Sequence, residues 1–113
     1  MARSRALSLW LPVVAWAALI FVLSSVPHLS SGLGKWDYVL RKCAHVTEYA
    51  ILGALLLRAL GREAPAFLAG LAYAASDELH QHFVAGRHAS PVDVAIDAVG
   101  ITFGLLAWTR VRA

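Results

Sequence analysis

Polar and apolar positions along this chain fall into long blocks. Leu7 to Leu23 carries no charged residue, close to the ~20 apolar residues that a helix needs to cross a hydrocarbon core of about 30 Å. A second apolar run begins near Val92 and closes with Ile101 to Trp108. Between them lie two segments that are apolar in one half and polar in the other. The blocks predict an all-α fold: a single domain, 1–113, forming a polytopic membrane protein. It would be a compact bundle of four transmembrane helices at roughly 7–25, 38–60, 65–84 and 91–110, joined by short connections.

Turn chemistry separates the blocks. Pro27 and the run Ser30-Ser31-Gly32-Leu33-Gly34 mark the first connection, with Asp37 as N-cap of the second helix. Gly61 reads as the C-cap of that helix and Pro65 as the start of the third. Ser90-Pro91-Val92-Asp93 combines a capping serine, proline at the first helical position and an acid three residues past the cap.

Composition sharpens the membrane reading. The chain has 113 residues, is 59% hydrophobic and only 15% charged, and its mean hydropathy is +0.64. Soluble chains average about 45–50% apolar and about 25% charged residues. An ordinary soluble domain is therefore excluded. The first run is too long for a signal-peptide core, and Leu23-Ser24-Ser25 is a poor cleavage site, so it reads as a retained helix. With Cys43 as the single cysteine, no internal disulfide and no cysteine-based metal site can form. The net charge of +3 lacks the basic stripe with interleaved aromatics that nucleic acid requires. Arg3, Arg5, Arg58, Arg62, Arg110 and Arg112 would share one side of a four-helix topology, against Lys35, Arg41, Lys42 and Arg87 on the other. The positive-inside rule makes the first side, with both termini, cytoplasmic.

That same topology brings the ionisable residues together. The second helix enters from outside, the third exits outward and the fourth starts outside. Arg41 to Glu48, Asp77 to His82, and Asp93 to Asp97 would then lie at one depth, near the outer leaflet. At about 100° per residue, Arg41, Lys42, His45 and Glu48 fall within an arc of about 120°, and Asp77, Glu78 and Gln81 within about 100°. Asp93, Asp97, Gly100 and Gly104 lie within about 60° of one another. Gly100-x-x-x-Gly104 is the small-residue spacing that lets helices approach closely in lipid. Charge in hydrocarbon is expensive and by default marks a working site.

His45 and Glu48, three apart on one face, can reach a single ligand, with Asp77, Glu78 and Gln81 completing an oxygen-rich shell. Several of these residues also have plainer roles. Asp93 is the acid of a capping box; Asp97 can bridge to Arg41, Lys42 or Arg87; Arg41 can snorkel. Arg87 is an interfacial anchor or an anion clamp. His80 and His82 suit the water interface, Tyr49 packing, and Trp10 and Trp108 the interfacial belt. If all ionised, Glu48, Asp77, Glu78, Asp93 and Asp97 outnumber Arg41, Lys42 and Arg87. Carboxylates are then protonated, a histidine is charged, or a cation is bound.

Arg41-Lys42-x-x-His45-x-x-Glu48-Tyr49-Ala50-x-Leu52-Gly53 resembles the first motif of the VanZ-like family of bacterial membrane proteins. Tyr73-Ala74-x-Ser76-Asp77-Glu78-x-His80-Gln81-x-Phe83 resembles its second half, as does the run Gly86-Arg87-x-x-Ser90-x-x-Asp93-x-x-x-Asp97-x-x-Gly100-x-x-x-Gly104. Phe21-x-x-Ser24-Ser25-x-Pro27 matches the end of its first helix. The resemblance implies a multi-pass protein of the bacterial cytoplasmic membrane, in a family named for reduced susceptibility to teicoplanin-type antibiotics. It implies a polar centre of Lys42, His45, Glu48, Asp77, Glu78, Gln81, Arg87, Asp93 and Asp97, and no particular reaction.

Two functions compete on these residues, and a third reading makes the network a structural clamp. In the first, Lys42, Gln81, Arg87, Asp93 and Asp97 bind a lipid-linked envelope precursor or a glycopeptide antibiotic among the membrane lipids. In the second, the chain is a hydrolase or transferase acting on a lipid or polyprenyl phosphate. There His45 or Glu48 would be the general base, while Glu48, Asp77 and Glu78 would hold a divalent cation. Against it, no nucleophile stands out, and Ser76 lacks a triad.

Overall fold

The computed structural model describes residues 2–24, 35–83 and 91–112. They form four helices: α1 (Ala2–Ser24), α2 (Lys35–Leu60), α3 (Glu63–His82) and α4 (Pro91–Arg112). The long dimension is 48 Å, near the full thickness of a bilayer with its headgroups, about 40–45 Å. Helix α2 is the hub. Its most extensive partner is α4, α3 packs on both, and α1 lies mainly on α2.

Three helices, α1, α2 and α4, are long and apolar enough to cross a membrane. Helix α3 falls short of that apolarity. Its last half carries Asp77, Glu78, His80, Gln81 and His82, which lower the hydropathy of its twenty residues. Asp77, Glu78 and Gln81 are nonetheless buried, while His82 at the helix end is exposed. Asp77 and Gln81 are 4% and 3% exposed, whereas Leu68, Leu79 and Phe83 are 61%, 63% and 78% exposed. A water-soluble bundle does the reverse. Large apolar side chains stand exposed on every helix, and the chain is a multi-pass membrane protein.

Hydrophobic burial brings membrane helices together only weakly, because lipid is as apolar as leucine. Close backbone approach takes its place here. A Cβ built on Gly104 would stand 1.9 Å from the Ala50 carbonyl oxygen, and one on Gly100 2.6 Å from that of Val46. On α2, a Cβ at Gly53 would stand 2.7 Å from the Ile101 carbonyl oxygen. The spacing of Gly100 and Gly104 thus forms a tight α2–α4 seam, and Gly53 joins it from the other side. Around it lies an apolar core of Ile20, Leu52, Leu56, Ala66, Ala74, Ile101 and Leu105.

The turn from α2 to α3 is short because Gly61 adopts a left-handed φ of 76° and returns its N–H to the Leu57 carbonyl at 2.7 Å. Helix α3 begins at Glu63, so Pro65 lies in its first turn, where no N–H is needed. Helix α2 begins at Lys35, before Asp37, which is therefore not its cap. Ser90 and the connection before it lie outside the described residues.

Helix α1 is fastened by polar contacts of a kind the hydrophobic pattern does not reveal. Pro12 sits inside α1 and has no N–H for the carbonyl of Ser8. The Arg58 guanidinium donates to that Ser8 oxygen at 3.0 Å, replacing the missing bond from the next helix. Trp16 Nε1 donates to the Glu48 carbonyl at 2.8 Å, and the Tyr73 hydroxyl to that of Ala17. Trp16 is thus a bundle-facing residue, joining α1 to α2.

Candidate functional site

The polar residues of α2, α3 and α4 meet at the end of the bundle where α2 and α4 begin and α3 ends. Offsets of three and four put Lys42, His45 and Tyr49 on one stripe of α2. Asp93 and Asp97, one turn apart, present a matching stripe on α4, and Asp77 approaches from α3.

These stripes form a descending ladder. At the rim, the Lys42 ammonium pairs with the Asp93 carboxylate, and their side chains are 26% and 12% exposed. One turn deeper, the His45 Nδ1–H donates to Asp97 Oδ1 at 3.1 Å, with side chains 16% and 1% exposed. Deeper again, the hydroxyl of fully buried Tyr49 donates to Asp77 Oδ2 at 2.9 Å. The His45 and Tyr49 rings lie nearly parallel, with centroids 6.3 Å apart.

Below Tyr49 all three helices change character at one level. Helix α2 continues with Leu52 and Leu56, α3 runs back through Ala74, Gly70 and Ala66, and α4 proceeds to Gly100, Ile101 and Gly104, all buried. The polar centre therefore closes against a dry floor. Among the described residues it is a half-depth site and not a polar path across the bundle.

The ladder leaves some valences unfilled. Asp77 Oδ1, Asp97 Oδ2 and Gln81 Nε2 are buried without a hydrogen-bond partner among the described residues. Buried polar atoms are paired in the great majority of proteins, and an unpaired one costs about 1–3 kcal/mol. Two of these atoms lie on successive turns of α3 and the third on α4.

The partners differ from those the sequence suggests. Asp97 takes His45 rather than Arg41 or Lys42, because the outermost acid of α4, Asp93, meets the outermost cation of the stripe first. Asp93, assigned by sequence to a capping box, gives its carboxylate to Lys42. Tyr49, read as packing, is a core aromatic that also holds Asp77. One turn beyond His45 on the same stripe, it was findable from the periodicity. Glu48 is half-buried and Glu78 buried. Among the described residues no group of three or more His, Cys, Asp or Glu side chains is placed to hold a metal ion. Glu48, Asp77 and Glu78 therefore do not assemble as the ligand set expected of them. His80 stacks on Phe21 of α1, ring centroids 4.3 Å apart, instead of standing at the water surface. Ser76 is exposed, its hydroxyl bonded to the Tyr73 carbonyl. Arg87 lies outside the described residues.

A protein-family model described as VanZ/LLP1 matches residues 4–112. No curated protein and no solved structure matches the sequence.

Proposed function

The chain belongs to the VanZ/LLP1 family, and from that premise and the geometry of its polar centre we propose a binding role in the cell envelope. It would act in the bacterial cytoplasmic membrane, with both termini cytoplasmic and the ladder at the outer leaflet. There it recognises the headgroup of a lipid-linked envelope component or a glycopeptide-type antibiotic, and so contributes to antibiotic tolerance. The observation that carries this reading is the set of vacant buried atoms on Asp77, Gln81 and Asp97. A clamp between helices would pair its groups with one another and leave none over.

Orientation rests on Arg5, Arg58, Arg62 and Arg110, which gather at the end opposite the ladder. That α3 is a fourth span is supported by its outward stripe of Leu68, Ala72, Ala75, Leu79 and Phe83, apolar and exposed throughout. Binding is favoured over turnover because Ser76, the serine weighed as a nucleophile, is exposed with its hydroxyl on the Tyr73 carbonyl.

The test is expression of the chain and of His45→Ala and Asp97→Asn variants, at matched membrane levels, in a glycopeptide-susceptible bacterium. Raised tolerance with the wild type and its loss in both variants is the expected result. Undiminished tolerance in both variants would reduce the ladder to a helix clamp.

A further inference from the structure

The headgroup reading leaves its chemistry open, and the pairing inside the ladder narrows it. Sequence makes Lys42 a ligand-binding candidate, but its ammonium is engaged with Asp93. His45 is likewise turned to Asp97. Among the described residues, the charged groups left with a vacant buried atom are two acids, through Asp77 Oδ1 and Asp97 Oδ2. These residues are 4% and 1% exposed, so bulk water does not serve them. Gln81, one turn from Asp77 on α3, has in Nε2 a donor that is also buried without a hydrogen-bond partner among the described residues.

A carboxylate oxygen only accepts, so its partner must donate, and positive charge is favoured. A phosphate would set oxygens against oxygens. A divalent metal takes several protein or water ligands, and among the described residues no group of three or more acids, histidines or cysteines is placed to supply them. A trimethylated ammonium has the charge but no N–H. A primary ammonium has three donors, two of which match the vacant oxygens.

Resting on the headgroup reading above, we propose that the ladder binds the primary ammonium of an amphiphile, held between Asp77 and Asp97. The two vacant oxygens sit on adjacent rungs, linked through the parallel rings of His45 and Tyr49. Gln81 Nε2 donates to an oxygen next to the amine. The ammonium supplies the positive charge that Asp77 lacks from Tyr49, whose hydroxyl is neutral. Lys42 lies one turn nearer the bundle end than His45, about 4.5 Å along the axis. It sets positive charge where a headgroup phosphate would emerge. An aminoethyl phosphate fits that order, amine innermost and phosphate at the rim, where headgroups already lie.

The test is native mass spectrometry of the purified full chain in detergent. It is offered phosphatidylethanolamine, phosphatidylcholine (the same charges without N–H donors) or phosphatidylglycerol in turn. Wild type should retain phosphatidylethanolamine about tenfold or more over phosphatidylcholine, the scale expected of charge-assisted hydrogen bonds. Asp77→Asn and Asp97→Asn should bring the two to parity. If a variant loses its helicity, the wild-type comparison decides alone. Equal retention of the two zwitterions by wild type overturns the proposal. So does displacement of the lipid by equimolar soluble phosphoethanolamine, since the site would then read a free amine and not an amphiphile. Preference for phosphatidylglycerol, lost in Asp97→Asn, refutes the ammonium but leaves the headgroup reading intact. Retention of no lipid and no glycopeptide removes both.

Discussion

Adding one methyl group at Gly104 should do more damage than any other single-carbon change in the bundle. The new Cβ would lie 1.9 Å from the Ala50 carbonyl oxygen and 2.7 Å from its carbonyl carbon. A carbon–oxygen contact settles at about 3.3 Å, so α4 must retreat from α2 by roughly 1.4 Å. Neither side can yield locally, because the obstacle is helix backbone. Asp97 lies two turns away, about 10 Å along α4. A rigid retreat would carry the His45–Asp97 bond of 3.1 Å beyond hydrogen-bonding reach. Overpacking costs about 1–3 kcal/mol, and an interhelical hydrogen bond in lipid averages about 0.6 kcal/mol. Gly104→Ala should therefore destabilise by about 2–4 kcal/mol. Gly70→Ala is the control. Its Cβ would meet the flexible Cδ1 of Ile101 at 2.9 Å, and a displaced rotamer costs about 0.5–1.5 kcal/mol. Unfolding in mixed micelles at rising SDS fraction, followed by helical circular dichroism, gives both values. Equal midpoints for the two variants would refute the backbone seam.

Three further outcomes follow from named contacts. Tyr49→Phe removes the buried donor to Asp77 Oδ2 and should cost about 1–3 kcal/mol in the same assay; a Tyr49→Phe, Asp77→Ala pair should cost less than the sum of its members, and strict additivity would deny the bond. Arg58→Leu should matter less in a Pro12→Ala background, where residue 12 regains the N–H that Ser8 lacks, with a coupling of about 0.5–1.5 kcal/mol; zero coupling would show that the guanidinium does not replace that bond. Alkaline phosphatase fused after Arg62 or Arg110 should stay inactive while a green fluorescent protein fused there shines, and the opposite pattern at both sites would invert the orientation.

Much of the architecture is legible in the sequence because membrane helices announce themselves by length and apolarity. The α2–α4 seam is legible too, since Gly100 and Gly104 sit one turn apart on an otherwise apolar helix. The pairings are not. Whether Asp97 meets Lys42 or His45 depends on the rotation and axial register of two helices, and a shift of one turn exchanges the answers. Hydropathy sets α3 apart, and the acids that lower its average are buried inside the bundle. The Arg58 contact escapes for another reason. It satisfies a backbone oxygen, and only the position of Pro12 hints that one needs satisfying.

The two halves of the bundle depend on each other. In lipid, apolar side chains gain little by meeting, so the seam at Gly53, Gly100 and Gly104 supplies the contact that fixes α4 against α2. The polar half supplies less, because Asp77 and Asp97 each keep a buried oxygen without a hydrogen-bond partner among the described residues, which raises the energy of the folded state. The ladder is therefore held in place by the glycines beneath it. A ligand that satisfied those oxygens would remove the penalty and stabilise the chain as it bound. Such a site gains affinity from unfilled valences, and it keeps them only because the apolar half is packed too closely for the polar half to relax.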